Sequence, residues 1–250
     1  MRIIRFLYNK NIHWGLIKED CAVILKGEPF KNIKLTAKKV PLTKIKLLPP
    51  ATPTKIVLAG LNYKDHAKEL KMPLPKNPIL FLKPITTLIA HGEPIIYPKG
   101  VGQLDYEGEL AIIIKKKGKD IKPKDVSRYI LGYTCLNDVT ARDLQKTDGQ
   151  WTRSKSFDTF CPLGPWIETS IDPRNIAIRL WLNGILKQSS STKEFIFNVD
   201  YLVSFISKAM TLYPGDVVST GTPFGVGPMK KGDSVEVEIE NIGKLSNYIK

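Results

Sequence analysis

The 250-residue sequence predicts a β-rich mixed α/β fold with a few short helices and a small strand-rich unit at its N-terminus. Three observations carry that expectation. Short β-branched and aromatic runs recur along the chain, separated by Asn, Gly, Pro and charged turns. Only one segment shows a helical apolar stripe of any length. The proline-rich stretch "LLPPATPT" at 47 to 54 separates the opening strands from the rest.

"RIIRFLY", "IHWGLI" and "CAVILKG" are the expected strands of a unit over residues 1–48, and the main domain then occupies 49–250. There "KIVLAG" reads as a buried strand and "LNYKDHAKEL" as a short helix with Tyr63, Ala67 and Leu70 on one face. "NPILFLKP" and "EPIIYP" are strands bounded by prolines. "YILGYTCLND" is an apolar strand leading into "DVTARDLQKT", read as a helix with Asp138 near its N-terminal end, where an Asp commonly caps. Ile178, Leu180 and Leu182 alternate before Asn183-Gly184, which signals a hairpin. "VDYLVSFISKAMTLYPGD" is the clearest helix. Asp200 is its expected cap, Leu202, Val203, Phe205, Ile206, Ala209 and Met210 its apolar stripe, and Pro214-Gly215 its stop. "DVVSTGTPFGVGP" and "SVEVEIENIG" close the chain as strands around a Gly-rich loop.

Between these lies "LDYEGELAIII", residues 104 to 114. Asp105, Glu107 and Glu109 occupy alternate positions, so on a continuous strand all three carboxylates share a face. At ~7 Å and an effective dielectric of ~20, neighbouring ones repel by roughly 2 kcal/mol. A solvent-facing stripe would tolerate that. The following Ala111-Ile112-Ile113-Ile114 is apolar on both faces, however, so the strand enters a core, where carboxylates must be protonated, paired or metal-bound. A hard divalent cation would offset their repulsion.

Composition sets outer bounds. With 42% hydrophobic and 25% charged residues, the chain has the balance of an ordinary globular protein. The N-terminus lacks the apolar core of a signal peptide, and no run of ~18 apolar residues suggests a membrane span. Cys21, Cys135 and Cys161 are odd in number and far apart, which suits a cytoplasmic protein without disulfides or a structural zinc. The net charge of +14 raises the possibility of a basic nucleic-acid-binding or scaffold protein. Its lysines are dispersed and no recognised nucleic-acid motif accompanies them, so the sequence argues against that class.

Several residues carry possible chemistry. His66 and Glu69 lie three apart on the expected helix, either as an incidental pair or as a carboxylate-oriented general base. Arg142 and Gln145 follow Asp138 along its expected helix, roughly on its side. Lys155 is either solvated or a buried cation able to grip a carboxylate or enolate. In "STGTPFGVGP", Thr222 and free backbone N–H groups could bind a small anion, although no nucleotide-loop pattern is present.

In combination and order, "GLNYKDHAKE", "LDYEGELAIII", "GYTCLNDVTARDLQ", "RSKSFDTFCPLGPWI" and "LYPGDVVSTGTPFGVGP" resemble the fumarylacetoacetate hydrolase family, over residues ~54 to 245. The resemblance implies a β-roll around a central site, usually in a homodimer. It implies Glu107, Glu109 and Asp138 as ligands of Mg²⁺ or Mn²⁺, with Asp105 behind them orienting a metal water or Lys155. Some members add an aspartate upstream of the histidine, at the position held here by Ala59. His66 and Glu69 match the family's dyad. Gln145 and Lys155 match groups that steady the substrate's oxygens, and Thr222 matches a loop threonine at its carboxylate end; Arg142 is expected beside them as a further substrate-binding residue. The implied substrate is a small 2-oxo acid. The first reading of the reaction is hydrolysis of an acylpyruvate C–C bond; isomerisation of a 2-hydroxydienedioate, oxo-acid decarboxylation and keto-deoxy sugar acid dehydration are the alternatives.

Overall fold

The strand Gly108–Ile114 is buried along its whole length and divides two hydrophobic clusters. Leu110, Ile112 and Ile114 belong to a core of 35 buried residues. Ala111 and Ile113 point the other way, into a core of 16. Alternation along a strand apolar on both faces produces this division. The computed structural model describes residues 1–250.

That strand lies inside a twelve-stranded sheet. On one side it pairs antiparallel with Ile130–Asn137, which leads through Cys161–Glu168 to the N-terminal strand Arg2–Tyr8. On the other it pairs with Val217–Ser219, then Ile56–Gly60 and the edge strand Ile79–Lys83. The Val217–Ser219 and Ile56–Gly60 pair is parallel, within a sheet that is otherwise largely antiparallel. A five-stranded sheet, containing the Asn183-Gly184 hairpin, covers the larger core. Both turn residues there have positive φ, as that hairpin turn requires.

The N-terminal strands have a small core of their own, around Ile4, Phe6, Ala22, Ile24 and Val40. They are nonetheless continuous with the main sheet, because Arg2 and Ile3 pair with Glu168 and Ile167. The chain's ammonium group donates to Glu168 Oε1 at 2.7 Å.

Four α-helices decorate the sheets: α1 (Lys64–Glu69), α2 (Arg142–Asp148), α3 (Thr152–Lys155) and α4 (Val199–Ala209). Three expectations need correction here. The cap of α4 is Asn198, whose side chain accepts from the Tyr201 N–H at 2.9 Å, and Asp200 sits within the first turn. Helix α4 ends at Ala209, well before Pro214, because Met210 is already extended. Asp138 opens no helix: Thr140–Ala141 pairs with Leu104–Asp105, and the helix begins only at Arg142.

The acidic stretch is two strands and not one. Leu104–Tyr106 belongs to a three-stranded sheet and Gly108–Ile114 to the large one. Between them, the Glu107 N–H bonds the side chain of Asn137 at 2.9 Å in place of a backbone partner. The chain therefore crosses from one sheet to another at Glu107.

Asn62 ties the loop after Ile56–Gly60 to two distant segments. Fully buried, its amide donates to Thr220 O and Phe197 O at 2.8 and 3.1 Å and accepts from the Phe197 N–H at 2.8 Å. Asn62→Leu should lower the unfolding free energy by about 3 kcal/mol, since it strands buried backbone groups. Urea unfolding measures this; a loss within the noise of a surface substitution would contradict it.

Candidate active site

A cavity of about 590 Å³ opens where the two acidic strands meet. Glu107, Glu109, Asp138, His66, Glu69, Arg142, Gln145, Lys155 and Thr222 all line it, so the fold brings together residues scattered over more than half the chain. Ala59 lines it too, and its methyl adds no fourth ligand to the three buried carboxylates.

Ligand oxygens of Glu107, Glu109 and Asp138 lie within 4.8 Å of one another, and all three residues are buried. Cations converge on two of them. The Lys155 ammonium donates to Glu107 Oε2 at 2.9 Å and to Asp138 Oδ2 at 2.5 Å. Lys83, buried at the end of the edge strand, donates to Asp138 Oδ1 and to Val139 O at 3.0 Å. Arg142 bonds Glu107 Oε1 through Nη2, Asp105 Oδ2 through Nε at 2.8 Å, and Gln145 Oε1 through Nη1. Asp105 therefore steadies Arg142, with Gln103 as its second donor, and does not serve Lys155 as expected.

These contacts set the electrostatics. Burial alone would raise the Glu107 carboxyl, but Lys155 and Arg142 overcome it and hold the group down at about 2. Burial pulls Lys155 downward, yet Asp138 and Glu107 lift its ammonium above the ordinary lysine value. Glu109 goes the other way. Burial, then the charges of Asp138 and Glu107, push its carboxyl well above the usual range. Asp105, Glu107 and Asp138 balance Arg142, Lys155 and Lys83, which leaves Glu109 as the carboxyl without a cation.

Both protein bonds to Glu109, from Ser219 Oγ at 2.5 Å and Gly221 N at 3.0 Å, reach Oε2, so Oε1 has no protein partner. Gly221 approaches so closely (φ +87°) that a Cβ there would lie 2.9 Å from Ala59 O. Buried oxygen donors, one of them lacking a counter-charge, fit a hard divalent cation such as Mg²⁺ or Mn²⁺.

Across the cavity, His66 Nδ1 lies 2.8 Å from Glu69 Oε2 on α1. The other Glu69 oxygen accepts from the Gly225 N–H at 3.0 Å. A carboxylate can only accept, so Nδ1 carries the proton and the lone pair of a neutral imidazole sits on Nε2. Helix α1 buries Ala67, whereas Leu70, expected on the buried face, lies 49% exposed beside the cavity.

Sequence reasoning missed several contributors. Lys83 shares strand parity with Phe81 and Ile79, both lining residues, and that alternation was the available signal. Gln188, fully buried, links the Gly108 N–H (2.9 Å) to the Thr222 hydroxyl (2.9 Å), and no local pattern announces it. Phe81 and Trp151 pack edge to face at 5.2 Å as one wall, with Lys155 Nζ 5.1 Å from the Phe81 ring centre.

A sequence model described as Fumarylacetoacetate (FAA) hydrolase C-terminal matches residues 55–250, and one described as Rv2993c-like, N-terminal matches 1–50. The chain belongs to the fumarylacetoacetate hydrolase family. This family member is 43% identical over 222 residues to the mitochondrial oxaloacetate tautomerase Fahd2a of Rattus norvegicus, covering 84% of this chain and 71% of the relative. Its fold is similar to that of 5-carboxymethyl-2-hydroxymuconate delta-isomerase from Mycobacterium smegmatis (TM-score 0.95, 40% identity, 100% of this chain and 99% of that one). It also resembles maleylpyruvate hydrolase from Sphingobium sp. SYK-6, solved with manganese(II) and pyruvate (TM-score 0.83, 28% identity, 100% and 98% covered). Members of this family are enzymes, and the strand-rich fold follows theirs.

Glu109 yields a direct test. In chelator, Glu109→Gln should leave the melting temperature of this fumarylacetoacetate hydrolase homologue equal to or above the wild type, because it removes an uncompensated buried acid. Added Mg²⁺ or Mn²⁺ should raise the wild-type midpoint by ligand linkage and leave the variant's unchanged. Thermal unfolding with and without the ion reads both; an equal ionic shift in the two proteins would remove Glu109 from the ligand set.

Proposed function

We propose that the protein is a divalent-metal-dependent enzyme that hydrolyses the C–C bond of an acylpyruvate or a related diketo acid. One observation carries the reading: an imidazole–carboxylate dyad and a buried three-carboxylate cluster line the same cavity. Held by Glu107, Glu109 and Asp138, Mg²⁺ or Mn²⁺ would act as a Lewis acid toward the substrate's 2-oxo group. Manganese and pyruvate in the maleylpyruvate hydrolase structure support that choice of cofactor and ligand.

The remaining steps belong to the chain's own side chains. His66 Nε2 takes a proton from water, while Glu69 holds the ring's tautomer and stabilises the imidazolium that forms. The hydroxyl adds to the acyl carbonyl carbon. The bond from that carbon to the pyruvate methylene then breaks, and its electron pair becomes the enolate of pyruvate. Lys155, already bridging Glu107 and Asp138, supplies positive charge near the developing enolate. Proton return from His66 to the enolate carbon yields pyruvate and an organic acid. Gln145 receives Arg142 on its Oε1, so its amide N–H groups remain to donate to substrate. Thr222 accepts from Gln188, so its own O–H is free to donate to a carboxylate.

A second reading has its own support, from relatives named as an isomerase and as an oxaloacetate tautomerase. In that case His66 would carry a proton between carbon and oxygen of the substrate instead of activating water. The dyad and the cluster would be unchanged.

Substitution at His66 separates water activation from electron withdrawal. General-base catalysis is worth about 10²–10⁴-fold, so His66→Ala should lose that much acylpyruvate hydrolysis. Any oxaloacetate decarboxylation, which requires mainly an electron sink, should fall far less. Equal losses in steady-state assays of both reactions, with Mg²⁺ affinity intact, would contradict a water-activating role.

Motion of α1 generates another expectation. Its six residues are too few for a helix to persist alone, and Leu70, Met72 and Leu74 beyond it are exposed. The segment should close over bound ligand. Hydrogen exchange should show residues 64–76 gaining protection when oxalate binds with Mg²⁺; equal protection in free and bound protein would exclude a lid.

A further inference from the structure

We propose that Lys146 selects 2-oxo acids bearing a second carboxylate, by pairing with that carboxylate at the mouth of the cavity. The inference rests on the 2-oxo acid reading of the site. Its carrying observation concerns charge pairing. Of the three cations that line the cavity, Arg142 is held by Asp105 and Glu107, and Lys155 by Glu107 and Asp138. Lys146, exposed at the rim, forms no ion pair.

Its acidic neighbours are already engaged. Asp143 accepts from the Gly102 N–H at 2.8 Å through Oδ2, with Oδ1 buried away from solvent, and Asp148 holds Arg153 through two bonds. Glu69, facing from α1, is taken by His66 and the Gly225 N–H. None of these carboxylates forms an ion pair with Lys146.

Position supplies the second argument. Arg142, Gln145 and Lys146 stand at i, i+3 and i+4 of α2 and share one face. Arg142 reaches inward to Glu107, and Lys146 lies ~6 Å further along the helix axis, toward solvent. A substrate whose 2-oxo carboxylate end occupies the acidic cluster would extend outward past Leu70, Met72 and Val226. Those side chains offer a terminal carboxylate no hydrogen bond, and the flexible stem of Lys146 does. A terminal methyl would rest against the same apolar wall without needing Lys146. Because the ammonium is solvated when unpaired, rejecting the methyl analogue leaves no buried group unsatisfied, so discrimination is modest.

The test compares 2-oxoglutarate with 2-oxopentanoate, which differ only in the terminal carboxylate, by calorimetry on Mn²⁺-loaded protein. The wild type should prefer 2-oxoglutarate by about tenfold, the equivalent of one charge-assisted hydrogen bond. Lys146→Met should collapse that ratio toward one. Lys146→Arg should restore most of it, and Lys146→Glu should invert it through like-charge repulsion. The assignment is overturned if the wild type binds both acids equally, or if Lys146→Met weakens both alike. It is also overturned if the preference survives in Lys146→Met. Binding of neither acid by the Mn²⁺-loaded wild type would instead overturn the 2-oxo acid reading of the cavity, and Lys146 would fall with it.

Discussion

Glu109 is a carboxyl group set at the mouth of a strand that is buried on both faces, with no cation assigned to it. Much of the site is arranged around that condition. Its neighbours Glu107 and Asp138 are equally buried, and each would be strongly destabilising if left unpaired. The chain answers with Lys83 from the edge strand, Arg142 from α2 and Lys155 from α3. The edge strand is distant in sequence from α2 and α3, and both helices lie apart from the acidic strand, so the cluster forms only when the sheets and helices have docked. Charge balance short of one cation is a condition that a divalent ion can meet.

The Gly-rich loop joins the two halves of the site. Gly221 donates its N–H to Glu109, Gly225 donates to Glu69, and Thr222 between them is anchored by Gln188. One short segment thus touches the acidic cluster, the dyad and a candidate substrate donor. Backbone N–H groups can serve in this way because glycine permits the close approach: a Cβ on Gly225 would lie 2.3 Å from Lys187 O. A loop without a phosphate-binding pattern is here a frame for side chains from elsewhere.

The break at Glu107 explains how three alternating acids acquire different tasks. A continuous strand would have placed Asp105, Glu107 and Glu109 in one row. Crossing between sheets instead sends Asp105 to steady Arg142, leaves Glu107 between Arg142 and Lys155, and presents Glu109 beside Ser219. Local periodicity records the spacing of these residues and carries no information about the sheet each will join.

Locally encoded features are legible in the sequence. Alternating apolar residues specify the strands, Asn183-Gly184 its hairpin, and the apolar stripe of 199–209 a helix. The ordered motifs carried the family and supplied nine of the residues that line the cavity. Tertiary structure alone decided what depends on contacts between distant segments. Asp138 starts no helix because Thr140–Ala141 finds a partner strand, and a residue cannot report that partner from its own neighbourhood. Lys83, Gln188 and the Trp151 wall likewise act through groups 55 to 80 positions away in the chain. Long-range pairing, burial and the charge each buried group meets are properties of the folded chain, and they turn a row of acids into a site.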